Sequence, residues 1–182
     1  FQGITAGKAS VVTDEIETFT PEGILLRSGK ELEADIVITA TGFNLSVLGD
    51  IDFAIDDKPL SFSDTVTYRG MMFTGVPNMV WVFGYFRASW TLRVDLLGDF
   101  VCRLLNHMEK TGTRQCTPRL TDPTITEEPW IDFSSGYIQR AAAKFPKQGS
   151  RRPWKLYQNY VLDLMTLTYG AVGDGAMEFS NP

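Results

Sequence analysis

Residues 34–44, ADIVITATGFN, decide how the rest of this chain is read. Glu33 and Asp35 lead into an unbroken apolar run, Ile36-Val37-Ile38. Such a run is the pattern of a strand buried on both faces, as in a parallel or mixed α/β sheet. Ala40, Thr41 and Gly42 follow directly, and residues this small let a neighbouring chain or ligand come close to the backbone.

Upstream, residues 9–41 have the pattern of a β-meander. Residues 9–13 (ASVVT), 15–19 (EIETF) and 23–27 (GILLR) are short β-prone runs. Thr13-Asp14 and Thr20-Pro21-Glu22-Gly23 separate them, and Ser28-Gly29-Lys30 turns into the apolar run. Ile16 and Thr18 alternate with Glu15 and Glu17, which predicts a sheet with one wet face.

Downstream, residues 45–64 read as irregular and acidic. Their aspartates lack the spacing of a calcium loop, so solvated turns are expected. Residues 65–73 and 79–83 (MVWVF) are strand candidates, the second apolar enough for a central strand. Ser89 is then a candidate N-cap, and apolar residues at 90, 94, 97, 101, 104, 105 and 108 predict a helix over 90–108 closed by Lys110 and Gly112. Residues 113–133 read as a connection, and 135–145 and 153–168 as two more helices. The basic stretch 144–152, with Lys155, reads as a solvated linker. The glycines at 170, 173 and 175 read as a mobile tail.

The 182 residues, 43 % of them apolar, have room for one sizeable core or two small ones. A net charge of −5 argues against nucleic acid as a partner. The two cysteines, Cys102 and Cys116, are too few for a disulfide framework, so reduced thiols in a cytoplasmic protein are expected. The single histidine, His107, lies near a helix end and has no partners at metal-ligand or catalytic-triad spacing, so no metal and no such nucleophile is expected. No apolar run reaches the length of a membrane span. The chain opens on Phe1 in mid-pattern, which predicts a piece of something larger.

The strand–loop–helix at 79–108 is the unit best suited to chemistry. Free backbone N–H groups and the positive end of a helix dipole stand where such a loop opens its helix, and ligands of open α/β sheets bind at that edge. An ordinary strand-to-helix connection has the same pattern, so on pattern alone the site stays open.

Two stretches carry a resemblance to a known family. Asp35-Ile36-Val37-Ile38-Thr39-Ala40-Thr41-Gly42-Phe43-Asn44 resembles the ATG segment of the Baeyer–Villiger and flavin-containing monooxygenases, where the chain returns from an NADPH domain to an FAD domain. Residues 75–84 (GVPNMVWVFG) and 85–92 (YFRASWTL) resemble the last FAD-domain strand and the loop and helix start near the flavin ring, with the ethionamide-activating branch as the nearest likeness. The resemblance runs over essentially the whole chain, including the tail, residues 130–159, with its PKQGSRRPW-x-LYQNY stretch.

The resemblance implies an α/β fragment of a two-dinucleotide-binding-domain flavoprotein, comprising a β-meander, a strand–loop–helix unit and C-terminal helices. It implies that residues 1–42 end an NADPH-binding domain, 43–112 close an FAD-binding domain and 113–182 form a helical extension. Thr41, Gly42, Phe43 and Asn44, with Ser89, Trp90, Thr91 and Leu92, then belong to the cofactor site. Tyr85, Phe86 and Trp90 border the substrate, and Arg87 meets NADPH. The implied parent enzyme oxygenates ketones or soft heteroatoms through a flavin peroxide. It uses FAD and NADPH on a small-molecule substrate, and the missing N-terminal domains pack against this chain.

The G-x-G-x-x-G loops that hold FAD and NADPH phosphates are absent from the sequence, as is the Baeyer–Villiger fingerprint. The chain by itself is therefore expected to be inactive and to retain neither cofactor. A non-catalytic interaction or regulatory module of flavoprotein-derived fold is the alternative, and a flavoprotein oxidising amines or disulfides is a second.

Overall fold

The computed structural model describes residues 1–131 and 133–182, and these form two units, Phe1–Gly42 and Phe43–Pro182. The first unit holds a short helix α1 (Gln2–Thr5) and three strands, β1 (Ile16–Phe19), β2 (Gly23–Leu26) and β3 (Glu31–Glu33). They form an antiparallel sheet in the order β1-β2-β3. The Thr20 hydroxyl accepts the Gly23 N–H at 2.9 Å, and the Gly29 N–H donates to the Leu26 carbonyl at 2.8 Å, so the two predicted turns close the two hairpins.

The meander is shifted from the sequence expectation. Residues 9–13 form no strand, and the third strand is Glu31–Glu33 rather than the apolar run. All four residues of β1 are exposed, so the expected dry face is missing there. Ile36, Val37 and Ile38 belong to no strand and are 80 %, 41 % and 86 % exposed. A strand buried on both faces needs neighbours on both edges and a layer above and below. The meander ends before this run and offers it no edge.

The second unit begins with two tight hairpins. β4 (Phe53–Ile55) and β5 (Lys58–Leu60) are joined by Asp56 and Asp57, both at positive φ, 49° and 61°. Two successive left-handed residues make the turn whose twist matches a hairpin, and aspartate tolerates them. The stretch expected to be irregular thus contains an ordered hairpin, with Asp56 and Asp57 at its turn. Residues 65–73, expected as one strand, fold back at Arg69-Gly70 into β6 (Thr67–Tyr68) and β7 (Met72–Phe73). Gly70 combines φ 61° with close approach, since a Cβ there would lie 2.9 Å from the Arg93 guanidinium.

Residues 79–83 do not form the expected central strand. The Trp81 N–H donates to the Met71 carbonyl at 2.6 Å, but no ladder develops. Trp81 instead packs on Phe73 and Trp130, with ring centroids 5.6 Å and 4.7 Å away. Side-chain packing, rather than strand pairing, covers this run.

Helix α2 (Trp90–Thr111) forms where the periodicity places it and ends at Gly112. Its buried face is rotated from the predicted one. Arg93, Leu96, Leu97, Phe100, Leu104 and Met108 are buried, whereas Trp90 and Leu105 are exposed. This face packs on Tyr68, Met71 and Met72 of the β6–β7 hairpin and on Leu167, Val172 and Met177.

The remaining elements are β8 (Gln115–Pro118), β9 (Glu127–Pro129), α3 (Gly136–Ala141), β10 (Lys147–Gly149), α4 (Tyr160–Asp163) and β11 (Met177–Ser180). β9 pairs with β10 and β8 with β11, both antiparallel. The expected helix over 135–145 shortens to α3 and a 3-10 turn. That over 153–168 begins only at Tyr160, because Gln158 takes a left-handed φ of 52°, and it continues from α4 as a π-helical turn over Leu164–Thr168.

Two more expectations are corrected here. The basic stretch is not a free linker: Lys147–Gly149 is strand β10, and Lys147 meets Glu127 at 2.6 Å, Arg151 meets Asp122 at 2.7 Å and Lys155 meets Glu128 at 2.7 Å. The glycine-rich tail is anchored. Asp174 accepts hydrogen bonds from Tyr68 and Arg69, each at 2.8 Å, and β11 follows.

Candidate functional site

The segment 83–92 carries most of the residues singled out from the sequence, and four observations define how it is held. Gly84 lies under the Trp90 ring, so closely that a Cβ on Gly84 would fall 2.3 Å from the indole. Trp90 in turn packs on Phe83 at 4.7 Å. The Tyr85 hydroxyl, on a residue only 4 % exposed, donates to an Asp163 carboxylate oxygen at 2.8 Å. Burial and the neighbouring carboxylate push the Tyr85 phenol well above its usual range, which keeps it a neutral donor.

The same Asp163 oxygen accepts the Arg93 Nε–H at 3.1 Å. Arg93 is completely buried, and its other N–H groups donate to the carbonyls of Phe83 at 2.7 Å, Gly70 at 3.3 Å and Arg69 at 2.7 Å. A buried guanidinium needs this many acceptors, because each unpaired N–H would carry its full desolvation cost. Arg93 therefore ties the end of the 79–83 run to the β6–β7 hairpin and to α4.

The N-terminus of α2 is left free. Ser89 occupies the N-cap position but makes no side-chain cap bond; its hydroxyl pairs with that of Thr91 at 2.8 Å. No acidic residue stands in the first turn. The first N–H groups and the positive end of the dipole therefore point outward at an exposed surface formed by Trp90, Thr91 and Leu92.

Beside this helix start lies a cleft of about 330 Å³, lined by Tyr85, Phe86 and Arg87 together with Phe133, Tyr157 and Tyr160. Phe86 and Phe133 stack with their planes 19° apart. Arg87 is exposed and makes no ion pair among the described residues.

The structure thus gathers Tyr85, Phe86, Ser89, Trp90, Thr91 and Leu92 into one region. Thr41 and Gly42 are exposed residues of the first unit. Phe43 and Asn44 start the second, and Phe43 is 72 % exposed and meets Tyr137 edge-on at 6.1 Å rather than entering the cleft. Sequence reasoning missed Arg93, Gln158 and Asp163. Arg93 left a signal, a charge on the apolar face of an amphipathic helix, which demands a buried partner; Asp163 and Gln158, more than sixty residues away, left none.

Among the described residues, no three His, Cys, Asp or Glu side chains come together as metal ligands. Among the same residues, no helix is long and apolar enough to cross a membrane.

Comparison with curated proteins points one way. The FAD-containing monooxygenase EthA of Mycobacterium tuberculosis is 45 % identical over 180 residues, which is 99 % of this chain. The probable FAD-binding monooxygenase AlmA of an Acinetobacter species is 48 % identical over 98 % of the chain. The chain is homologous to the FAD-containing monooxygenases. The putative FAD-containing monooxygenase MymA of Mycobacterium tuberculosis agrees, at 40 % identity over 99 % of the chain. The chain spans a little over a third of the length of these relatives, 37 % for EthA and MymA and 36 % for AlmA. No family model and no solved structure matches it.

Proposed function

We propose that this chain is the C-terminal portion of an FAD- and NADPH-dependent monooxygenase of the Baeyer–Villiger and flavin-containing classes. The reaction transfers one oxygen atom of O2 to a ketone or a soft heteroatom such as sulfur. The other atom leaves as water, and NADPH supplies the two electrons. One observation carries this reading: identity of 40–48 % over 98–99 % of the chain to proteins named as FAD-containing or FAD-binding monooxygenases.

The residues present suit part of a flavin site. The uncapped, acid-free first turn of α2 offers N–H groups and positive potential to an electron-rich ring edge, with Ser89, Trp90, Thr91 and Leu92 around it. FAD, when bound, supplies the oxygen-activating chemistry. Trp90, Tyr85 and Phe86 border the acceptor and keep water from it, and Arg87 serves NADPH. Thr41, Gly42, Phe43 and Asn44 form the passage between the two cofactor domains, so that residues 1–42 end the NADPH domain, 43–112 close the FAD domain, and 113–182 form a C-terminal extension that is built of short strands and helices rather than being helical throughout.

The sequence has no glycine-rich phosphate loop, so the N-terminal domains supply both phosphate cradles and pack against this chain. On its own the chain is inactive and retains neither cofactor. Its unpaired thiols, Cys102 exposed and Cys116 buried, suit a reducing compartment, and we place the enzyme in the cytoplasm.

The test is turnover by the polypeptide expressed from the reading frame that encodes this chain, supplied with NADPH, O2 and either thioanisole or 2-decanone. NADPH oxidation matched by sulfoxide or ester is the expected result. Absence of acceptor-dependent NADPH oxidation from a well-folded polypeptide would overturn the assignment.

A further inference from the structure

Gln158 combines two features that are rarely found together. Its backbone is held at φ 52°, a region that glutamine seldom occupies. Its side-chain amide also reaches across to the loop that carries the proposed substrate residues. Oε1 accepts the Phe86 N–H at 2.9 Å, and Nε2 faces the Gly84 carbonyl at 3.4 Å. The 84–86 loop thus meets a side-chain amide in the way it would meet a strand edge. A residue kept in a strained conformation marks a place where the surrounding structure demands that geometry.

The demand comes from two directions. Five residues further on, Asp163 accepts from Tyr85 and Arg93, fixing the middle of the same loop and the start of α2. Tyr157, directly before Gln158, and Tyr160, two residues after it, line the same cleft as Phe86. The left-handed turn at Gln158 is what lets its own amide reach the loop while both tyrosines face the cleft.

We infer that Gln158 is a positioning and specificity-determining residue. It clamps the 84–86 loop and makes Tyr157–Tyr160 the second wall of the substrate cleft, shaped for a flat aromatic acceptor. This rests on the monooxygenase reading of the site. The cleft's chemistry sets the substrate class: five aromatic side chains line about 330 Å³, Phe86 and Phe133 stacked on one another within it, and such ring faces stack on a planar acceptor in a way that a long flexible chain does not match.

Two variants separate the clamp from the fold. Asparagine tolerates the left-handed backbone but is one methylene too short to reach Phe86, so Gln158→Asn removes the clamp without adding strain. Gln158→Glu keeps the length and the acceptor for the Phe86 N–H, giving up only the long Nε2 contact with the Gly84 carbonyl. Amide hydrogen exchange reads the clamp directly, with no cofactor involved. Gln158→Asn should speed exchange at Phe86 by about fivefold to tenfold, the worth of one net hydrogen bond, and leave Leu97 and Phe100 in α2 unchanged. Gln158→Glu should keep the wild-type rate. Unchanged exchange at Phe86 in Gln158→Asn would overturn the clamp.

Specificity is then read in the polypeptide expressed from the encoding reading frame, with thioanisole and 2-decanone as competing acceptors. Gln158→Asn should raise KM for thioanisole by about fivefold with kcat little changed, and leave 2-decanone nearly unaffected; Gln158→Glu should restore the preference. Equal loss on both acceptors would reduce Gln158 to a structural residue and overturn the substrate class. If wild type oxidises neither acceptor, the monooxygenase reading fails, and the exchange result shows separately whether the clamp exists.

Discussion

Residues 36–38 and 79–83 carry the same kind of signal, short apolar runs of β-branched and aromatic residues, and neither becomes a strand. Their surroundings differ. Ile36 and Ile38 stand 80 % and 86 % exposed, with no described strand beside them. Trp81 and Phe83 lie in a nest of rings, with Phe83 and Trp130 only 4.4 Å apart, and the Phe83 carbonyl is held by the buried Arg93. An apolar run therefore reports what a completed fold covers. The second finds its cover within these residues; the first has the composition of a central strand without the sheet, and the proposed seam between two cofactor domains would supply that sheet.

Substitutions sharpen that contrast. The largest effect belongs to Arg93→Met in the 182-residue chain. It leaves Asp163 without its cation and three carbonyls without a donor, and should cost about 3–5 kcal/mol in urea unfolding. A loss below about 1 kcal/mol would mean that the pair behaves as a surface contact and that the second run is held by packing alone. Next comes Trp81→Ala, expected to cost about 2 kcal/mol, less than a fully buried tryptophan because Trp81 is only half-buried. Smallest is the pair Ile36→Thr and Ile38→Thr, which should change the stability of this chain by less than about 0.5 kcal/mol. In the polypeptide with its other domains, the same pair should cost about 2 kcal/mol or more, as loss from a core does. Equal effects in both settings would erase the distinction between the two runs.

The sequence made some of this legible and hid the rest for identifiable reasons. Helix α2 was readable because its period runs for five turns, yet its buried face is turned toward Arg93, which a purely apolar count passes over. The hairpins β4–β5 and β6–β7 escaped because strands of two or three residues show no alternation. Their turns, Asp56-Asp57 and Arg69-Gly70, also lack the usual Asn-Gly or Asp-Gly pair. The glycine-rich tail looked mobile because the groups that fasten Asp174, Tyr68 and Arg69, lie more than a hundred residues away. At the site, Tyr85, Phe86 and Trp90 were named through the family resemblance, on a loop after a predicted strand that does not form. What holds them, Gln158 and Asp163, is a matter of tertiary contact that no local pattern encodes.

The central claim is that this chain carries one face of a flavin site and depends on further domains for the cofactor. Gel filtration after incubation with FAD, followed by the absorbance of the protein peak, addresses it most directly. The account predicts a colourless peak for the 182-residue chain and a yellow one, with one FAD per polypeptide, for the product of the whole encoding reading frame. A stoichiometrically yellow 182-residue chain, or a colourless product of the whole frame, would contradict it.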